Sequence, residues 1–213
     1  MNVRWWIILL VLGCAKLLAQ APATPVMHSS EHGFGYSIPS DWQVAEAQPT
    51  PDEIKEKQTK EAKSEDEKKG IACLQAAMTA RHGDPPSVIV AMALPFDCFG
   101  QSMTEKDLPG FADGGAEGLK QSFDLTEPVH ATYSLGNHGM WIERAKGTPK
   151  GNPETSYTIE IACGLLKKAA VCWMTMSSDE STLHTFENGA VVLDGDSFPA
   201  LVPANVFEHK AEQ

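Results

Sequence analysis

Residues 156–163 alternate strictly: Tyr157, Ile159, Ile161 and Cys163 are apolar, and Ser156, Thr158, Glu160 and Ala162 between them are polar or small. This is the period-two signature of a strand with one buried face. Beyond residues 164–169 a second run, Val171-Cys172-Trp173-Met174-Thr175-Met176, reads as the returning strand. If Cys163 lies opposite Cys172, Ile161 falls opposite Met174 and Ile159 opposite Met176. One register then places both sulfurs and four apolar side chains on one face. The spacing predicts an antiparallel hairpin closed by a Cys163–Cys172 disulfide.

The start of the chain points to a compartment where such a bridge persists. Met1-Asn2-Val3-Arg4 precedes a run from Trp5 to Leu12 without a polar side chain, followed by Gly13-Cys14-Ala15-Lys16-Leu17-Leu18-Ala19. A basic start, a short apolar stretch and a small residue at the cut describe a secretory signal over residues 1–19, cleaved after Ala19. A membrane span needs about 20 apolar residues, so this run is too short, and no later segment comes close. Leu10-Val11-Leu12-Gly13-Cys14 also resembles a bacterial lipobox, which would place a lipid on Cys14 and anchor the domain. Apolar sequence continues to Ala19, and ordinary cleavage is the preferred reading. The expected product is exported, periplasmic or extracellular, and long enough for one domain with a real core.

Four cysteines outlast such a signal, an even number that suits disulfides in an exported chain. With Cys163 and Cys172 paired by register, Cys73 with Cys98 follows by elimination. The alternative is two buried thiols, because pairing across the Asp84-Pro85-Pro86 turn puts Cys73 on the polar face of its strand. Cys-x-x-Cys is absent, so neither a thioredoxin-type site nor a zinc ribbon is signalled.

Charge narrows the partners. Asp and Glu number 28 against 17 Lys and Arg, a formal charge of −11. Phosphate binding needs a basic patch that displaces counterions, and each Lys/Arg cluster here is interleaved with acids. Nucleic acid is therefore not an expected partner, and anionic lipid headgroups are disfavoured for the same reason. What the charge admits is a cationic ligand, a basic protein partner, or plain solubility.

Along the chain, residues 20–32 are Pro-rich and read as a tether. A domain over 33–203 and a tail over 204–213 are expected. Phe34, Tyr36 and Ile38 alternate as a strand stopped by Pro39. Residues 49–69 form a charged insertion, polar all round, expected to be solvated. Apolar stretches 71–80 and 87–94 read as a hairpin. A helix is expected from Thr104 to about Phe123, its glycines 110, 114, 115 and 118 attributed to close packing on the sheet. Residues 130–135 and 140–146 flank a Gly-Asn turn, a hairpin signal. A last helix begins near Ser178, with Leu183, Phe186, Ala190, Val191 and Leu193 as its apolar face and 194–199 as its ending turn. The class is α+β: a single antiparallel sheet of about six to seven strands with helices packed on it, an α-β-α sandwich.

Several strings carry possible chemistry. His28-Ser29-Ser30-Glu31-His32 matches the His-x-x-Glu-His of inverted zincins, which must lie on a helix to bind zinc; flanked by a Pro-rich segment and a Gly-containing strand, it reads as linker. Gly195-Asp196-Ser197-Phe198 resembles the nucleophile block of GDSL esterases, but that family's serine opens the chain, whereas Ser197 is followed only by Glu208-His209. Gly114-Gly115-Ala116-Glu117-Gly118 fits no phosphate-binding loop. His82, His130, His138 and His184 are scattered singly, and Asp194 with Asp196 lacks EF-hand spacing. No catalytic residue, cofactor or metal ligand is assigned.

Phe34, Pro39 and Trp42, in Gly-Phe-Gly-Tyr-Ser-Ile-Pro-Ser-Asp-Trp, resemble the Phe, Pro and Trp that open members of the PsbP-like superfamily. The order of elements, ending in Asp196-Ser197-Phe198, extends the likeness over residues 33–200. The resemblance implies an antiparallel sheet between helices, with Phe34 and Trp42 as core anchors. That superfamily includes an extrinsic subunit of photosystem II, a Ran-binding nuclear-transport protein and exported bacterial domains of unknown function. Its better-known members bind partners, and the resemblance carries over no functional residue.

The leading expectation is thus an exported, non-enzymatic domain that binds a protein or envelope component. The alternative is a small-molecule or lipid carrier with a pocket between sheet and helix, lined by Trp173, Met174, Met176 and Phe186. A hydrolase built on Glu31 or Ser197 is a remote third.

Overall fold

A computed structural model describes residues 24–46, 59–60, 62 and 64–207. In chain order the strands are β1 (Pro25–Ser29), β2 (Phe34–Pro39), β3 (Gln43–Glu46), β4 (Gln75–His82), β5 (Ser87–Pro95), β6 (Phe123–Leu125) and β7 (Val129–Leu135). They continue as β8 (His138–Pro149), β9 (Tyr157–Leu165), β10 (Ala169–Ser177), β11 (Val191–Leu193) and β12 (Asp196–Phe198). The helices are α1 (Glu65–Cys73), α2 (Phe96–Phe99), α3 (Leu108–Leu119) and α4 (Glu180–Glu187), with a 3₁₀ turn at Glu105–Asp107 leading into α3.

The cysteine hairpin takes the register its alternation predicts. Cys163 pairs with Cys172, Ile161 with Met174 and Ile159 with Met176. Around it an antiparallel sheet runs β3-β4-β5-β10-β9-β8-β6, with β7 also on β8. At twelve residues, β8 is long enough to pair β7 along its first half and β6 at its end. A second antiparallel sheet, β1-β2-β11-β12, stands apart from it in pairing.

Each face of the large sheet buries a different layer. One face presents Ile89, Ala91, Ile142, Ala162 and Trp173 to Tyr36, Ile38, Leu193 and Phe186 of the small sheet and α4. Trp173 is wholly buried and meets Phe34 edge to face, with ring centroids 5.3 Å apart. The other face presents Ile159, Ile161, Cys163 and Cys172 to Leu108 and Ala112 of α3. Burial on both faces holds the register, because a one-residue slip of β9 or β10 would exchange the two sets.

The α+β class and antiparallel pairing stand, while several boundaries differ from expectation. In place of one sheet of six to seven strands there are two sheets, since β1, β11 and β12 are too short to announce themselves by periodicity. Part of the expected tether, Pro25–Ser29, is a strand paired with β2. The last helix ends at Glu187: Asn188 caps it, and the β-branched Val191 and Val192 extend to pair with Tyr36 and Gly35. Residues 194–195 then form a tight hairpin turn rather than a helix end, with φ of 50° at Asp194 and 97° at Gly195. Val206 and Phe207, placed in the tail beyond 203, pack on the core.

Residues 71–73 are helical rather than extended. Ser64 caps α1 by accepting a hydrogen bond from the Glu67 amide, and three acids sit in the first turn. Cys73 therefore ends a helix and faces no cross-strand partner. Its sulfur lies at disulfide distance from that of Cys98 on α2, with Cα atoms 5.7 Å apart. The objection drawn from strand pairing fails because Cys73 precedes β4. The rest of the charged insertion lies largely outside the described residues, as do the signal at 1–19, Cys14 and Ala19. Of the α3 glycines, only at Gly115 would a Cβ meet the sheet, in ordinary contact 3.6 Å from Ile161; one at 110, 114 or 118 would meet open space. Close packing thus requires none of the four glycines.

Two substitutions test this packing. A Cβ at Gly189 would lie 2.5 Å from the Tyr36 hydroxyl, and that ring is fully buried, so Gly189→Ala should destabilise by about 1–3 kcal/mol. Trp173→Ala should cost about 3–5 kcal/mol. Denaturant unfolding measures both.

Candidate functional site: an acidic cleft beneath helix α3

Thr104 and Asp107 start α3 with a capping box: the Asp107 carboxylate accepts from the Thr104 amide and hydroxyl. These bonds hold the Asp107 carboxyl below its usual range. Pro109 occupies the first turn, where its missing N–H costs nothing. Leu108 and Ala112 anchor this end of the helix on the sheet. Towards the other end a cavity of about 370 Å³ lies between helix and sheet. Ala145, Ile159 and Ile161 give it an apolar floor, and Asp113, Glu117 and Lys120 of α3 stand along one side.

The opposite wall arises from the way β6 and β7 share one edge of β8. Leu125 pairs with Gly147 and Val129 with Arg144. Across this break Thr126 substitutes for a strand partner, its amide donating to the Lys146 carbonyl and its hydroxyl accepting from the Lys146 amide. Glu127 and Pro128 together stand against the single Ala145, one residue in excess at the seam, and both line the cavity.

Glu143 reaches the cavity by alternation on β8. Ile142 and Arg144 point to the small-sheet side, which turns Glu143 towards α3, with Ile161 its cross-strand neighbour on β9 and His130 on β7. It is 5% exposed. Burial pushes its carboxyl above the ordinary carboxylate range and the charge of Asp113 adds to this, while the Trp141 indole and Lys120 ammonium oppose it.

A second acid, Glu160, is buried on the other face with no exposed side-chain surface. Nε of Arg144, its cross-strand neighbour, donates to Glu160 Oε1, and the second arm of the guanidinium donates to Glu187 at 2.7 Å. His184 Nδ1 lies 3.0 Å from the other Glu187 oxygen. The guanidinium also sits 4.3 Å over the Phe207 ring. Glu160 Oε2 has no hydrogen-bond partner among the described residues. Burial first, then the Glu187 charge, push Glu160 up to about 7 against the pull of Arg144 and His184. Burial and Glu160 also push up the Tyr36 and Tyr133 hydroxyls, which donate to the Phe186 and Leu201 carbonyls. None of these residues lines the α3 cavity. The network ties β8, β9, α4 and the C-terminal segment together.

The residues singled out in the sequence do not gather here. Met174 and Met176 pack on the α3 side but do not line the cavity, and Trp173 and Phe186 belong to the core on the opposite face. The expected pocket between sheet and helix exists with a different lining. His28 is on strand β1, so the zincin string lacks its helix. Ser197 is an exposed residue of β12, and Asp194 accepts from the Lys167 amide. His82 stacks on Trp42 and His130 on Trp141, while His138 Nδ1 meets the Leu165 carbonyl. Among the described residues, no three His, Cys, Asp or Glu side chains converge to hold a metal ion. The Cys163 and Cys172 sulfurs lie at disulfide distance, with Cα atoms 4.1 Å apart. No helix among the described residues is long and apolar enough to cross a membrane.

No family model and no curated protein matches the sequence. Among solved structures the chain is similar to LpqN, involved in cell envelope biogenesis of Mycobacterium tuberculosis, at 16% identity over 83% of this chain and 90% of that one, with a TM-score of 0.43. It is also similar to cyanobacterial PsbP from Synechocystis sp. PCC 6803, at 10% identity over 78% and 87%, with a TM-score of 0.43. A protein of unknown function from Pseudomonas aeruginosa, PA94, shares 13% identity over 75% and 87%, with a TM-score of 0.27. A PsbP protein is thus among the structures that this chain resembles.

Glu160 generates a pH prediction. Its carboxyl is raised from 4.5 to about 7 in the fold, so between these values the folded state holds a proton that the unfolded state has released. Stability from this group is fully present below pH 4.5 and is lost as pH rises to about 7, by roughly 2–3 kcal/mol. Glu160→Gln should flatten that slope relative to the unsubstituted protein. Parallel stability curves for the two at pH 4.5–7.5 would refute the assignment.

Proposed function

We propose that the protein is an exported, non-catalytic binding domain that engages a protein partner or envelope component through the cleft beneath α3. The observation that carries this reading is the cleft itself. It is a concave site with an apolar floor and carboxylates on opposite walls, built on the sheet that carries the Cys163–Cys172 pair. A rigid floor and a few placed polar groups are what a binding site requires. Two cysteine pairs at bonding distance support maturation in an oxidising compartment. We place the mature start after Ala19, with Cys14 removed in the signal and residues 25–207 forming the domain.

The volume of the cleft also fits a small-molecule ligand. Native mass spectrometry of protein from its own envelope separates the two readings, because a carrier would keep a mass above that of the bare polypeptide.

Intact mass, with and without reduction before alkylation, tests export and pairing. A start at Gln20 with alkylation only after reduction is expected, whereas a lipid on Cys14 would move the site of action to a membrane surface. Cross-linking pull-downs from the native envelope should retain a partner. Failure to retain one, together with a bare native mass, would remove the binding reading.

A further inference from the structure

We propose that the cleft beneath α3 receives a primary alkylammonium group, the lysine side chain of a partner protein, with Glu143 as its buried counter-ion. This rests on the binding reading above and supplies its chemistry.

Glu143 is a buried acidic residue, and it borders a cavity rather than a packed core. Among the described residues no lysine or arginine forms an ion pair with it; the Trp141 indole and the more distant Lys120 favour its charged form, and His130 is its cross-strand neighbour. Lys120, the basic residue of the lining, is instead hydrogen-bonded at 3.0 Å to Glu117 and points to solvent with more than half of its side chain exposed. Burial disfavours the charged form of this carboxyl, and a cation entering the cavity offsets that cost. Glu160, on the opposite face, shows the contrast, since it has Arg144.

The rest of the lining selects the kind of cation. Asp113, Glu117 and Glu127 outnumber Lys120, so the cavity favours positive charge. A bare metal ion is not favoured, because these carboxylates do not converge. Ala145, Ile159 and Ile161 offer a surface for methylenes, as a long amphipathic side chain requires when its stem is buried and its head is charged. An ammonium on a flexible stem suits one carboxylate deep in such a site, whereas a guanidinium is used best by a flat bidentate partner. The exposed Asp113, Glu117 and Glu127 would meet further cations around the inserted lysine. A free monoamine leaves these acids unused; a basic protein surface engages them, in keeping with a chain charge of −11.

The test is amide-detected NMR on the natively purified, ¹⁵N-labelled mature protein. The probes are N-acetyl-Ala-Lys-Ala-amide, the same peptide acetylated on its lysine, and n-hexylamine. The lysine peptide should cause saturable shifts at residues 116, 143, 145 and 161, with at least tenfold weaker binding after acetylation. Glu143→Gln should weaken binding about tenfold. If that variant fails to fold, the exposed pair Asp113→Asn and Glu117→Gln should weaken it severalfold. Equal binding of the acetylated peptide, shifts away from the cleft, or unchanged affinity in the folded variants would overturn the proposal. Binding of hexylamine without the peptide would overturn the partner lysine as source. A native partner that stays bound to Glu143→Gln, and after acetylation of its own lysines, would overturn this inference while leaving the binding reading intact.

Discussion

The pairing of Cys163 with Cys172 sets the position of almost everything else in the structure. A strand's side chains alternate between faces, so this one register decides which residues of β9 and β10 meet α3 and which meet the small sheet. It turns Trp173 towards Phe34 and the core, and Ile159 and Ile161 towards the cleft floor. Through β8 it also decides the fate of three charged residues. Arg144 lands opposite Glu160 on one face, and Glu143 opposite Ile161 on the other. A cross-link between directly opposed residues removes the neighbouring registers from the choices open to the chain.

The two buried acids show how the same residue type is treated on the two faces. Glu160 lies in a dry layer and is tied to Arg144, which also holds Glu187 and stacks on Phe207. That arrangement binds four parts of the chain and does not line the cavity beneath α3. Glu143 has burial without such a cation, and open volume beside it. The acid paired in a packed layer is architecture, and the one beside a cavity is the one to which we assign recognition.

Much of the frame was legible because it is periodic. The alternation from 156 to 163 predicted the hairpin and its register, and the Gly-Asn turn at 136–137 predicted the β7–β8 hairpin. Short elements were not legible. Val191–Leu193 offers three apolar residues that fit a helix stripe as well as a strand, and only pairing with Phe34–Tyr36 decides between them. Cys73 was misread because the apolar run through Ala80 conceals a helix end at residue 73. The cleft was hidden for a different reason. Asp113, Glu127 and Glu143 come from three separate elements, and nothing in their local sequence distinguishes them from ordinary surface acids. Glu160 offered a faint signal, an acid between two isoleucines, but alternation alone assigned it to solvent when β9 is covered on both faces.

The seam between β6 and β7 gives the cleft an unusual independence from the frame beneath it. Both strands dock on one edge of β8, and Thr126 bridges the break with its own hydroxyl and amide. Glu127 and Pro128 are left over from the pairing, and they form the wall opposite α3. Neither position belongs to a ladder of either strand. The wall of the cleft that we assign to recognition thus rests on a splice in the sheet, outside both ladders that fix β8 and outside the paired-cysteine hairpin.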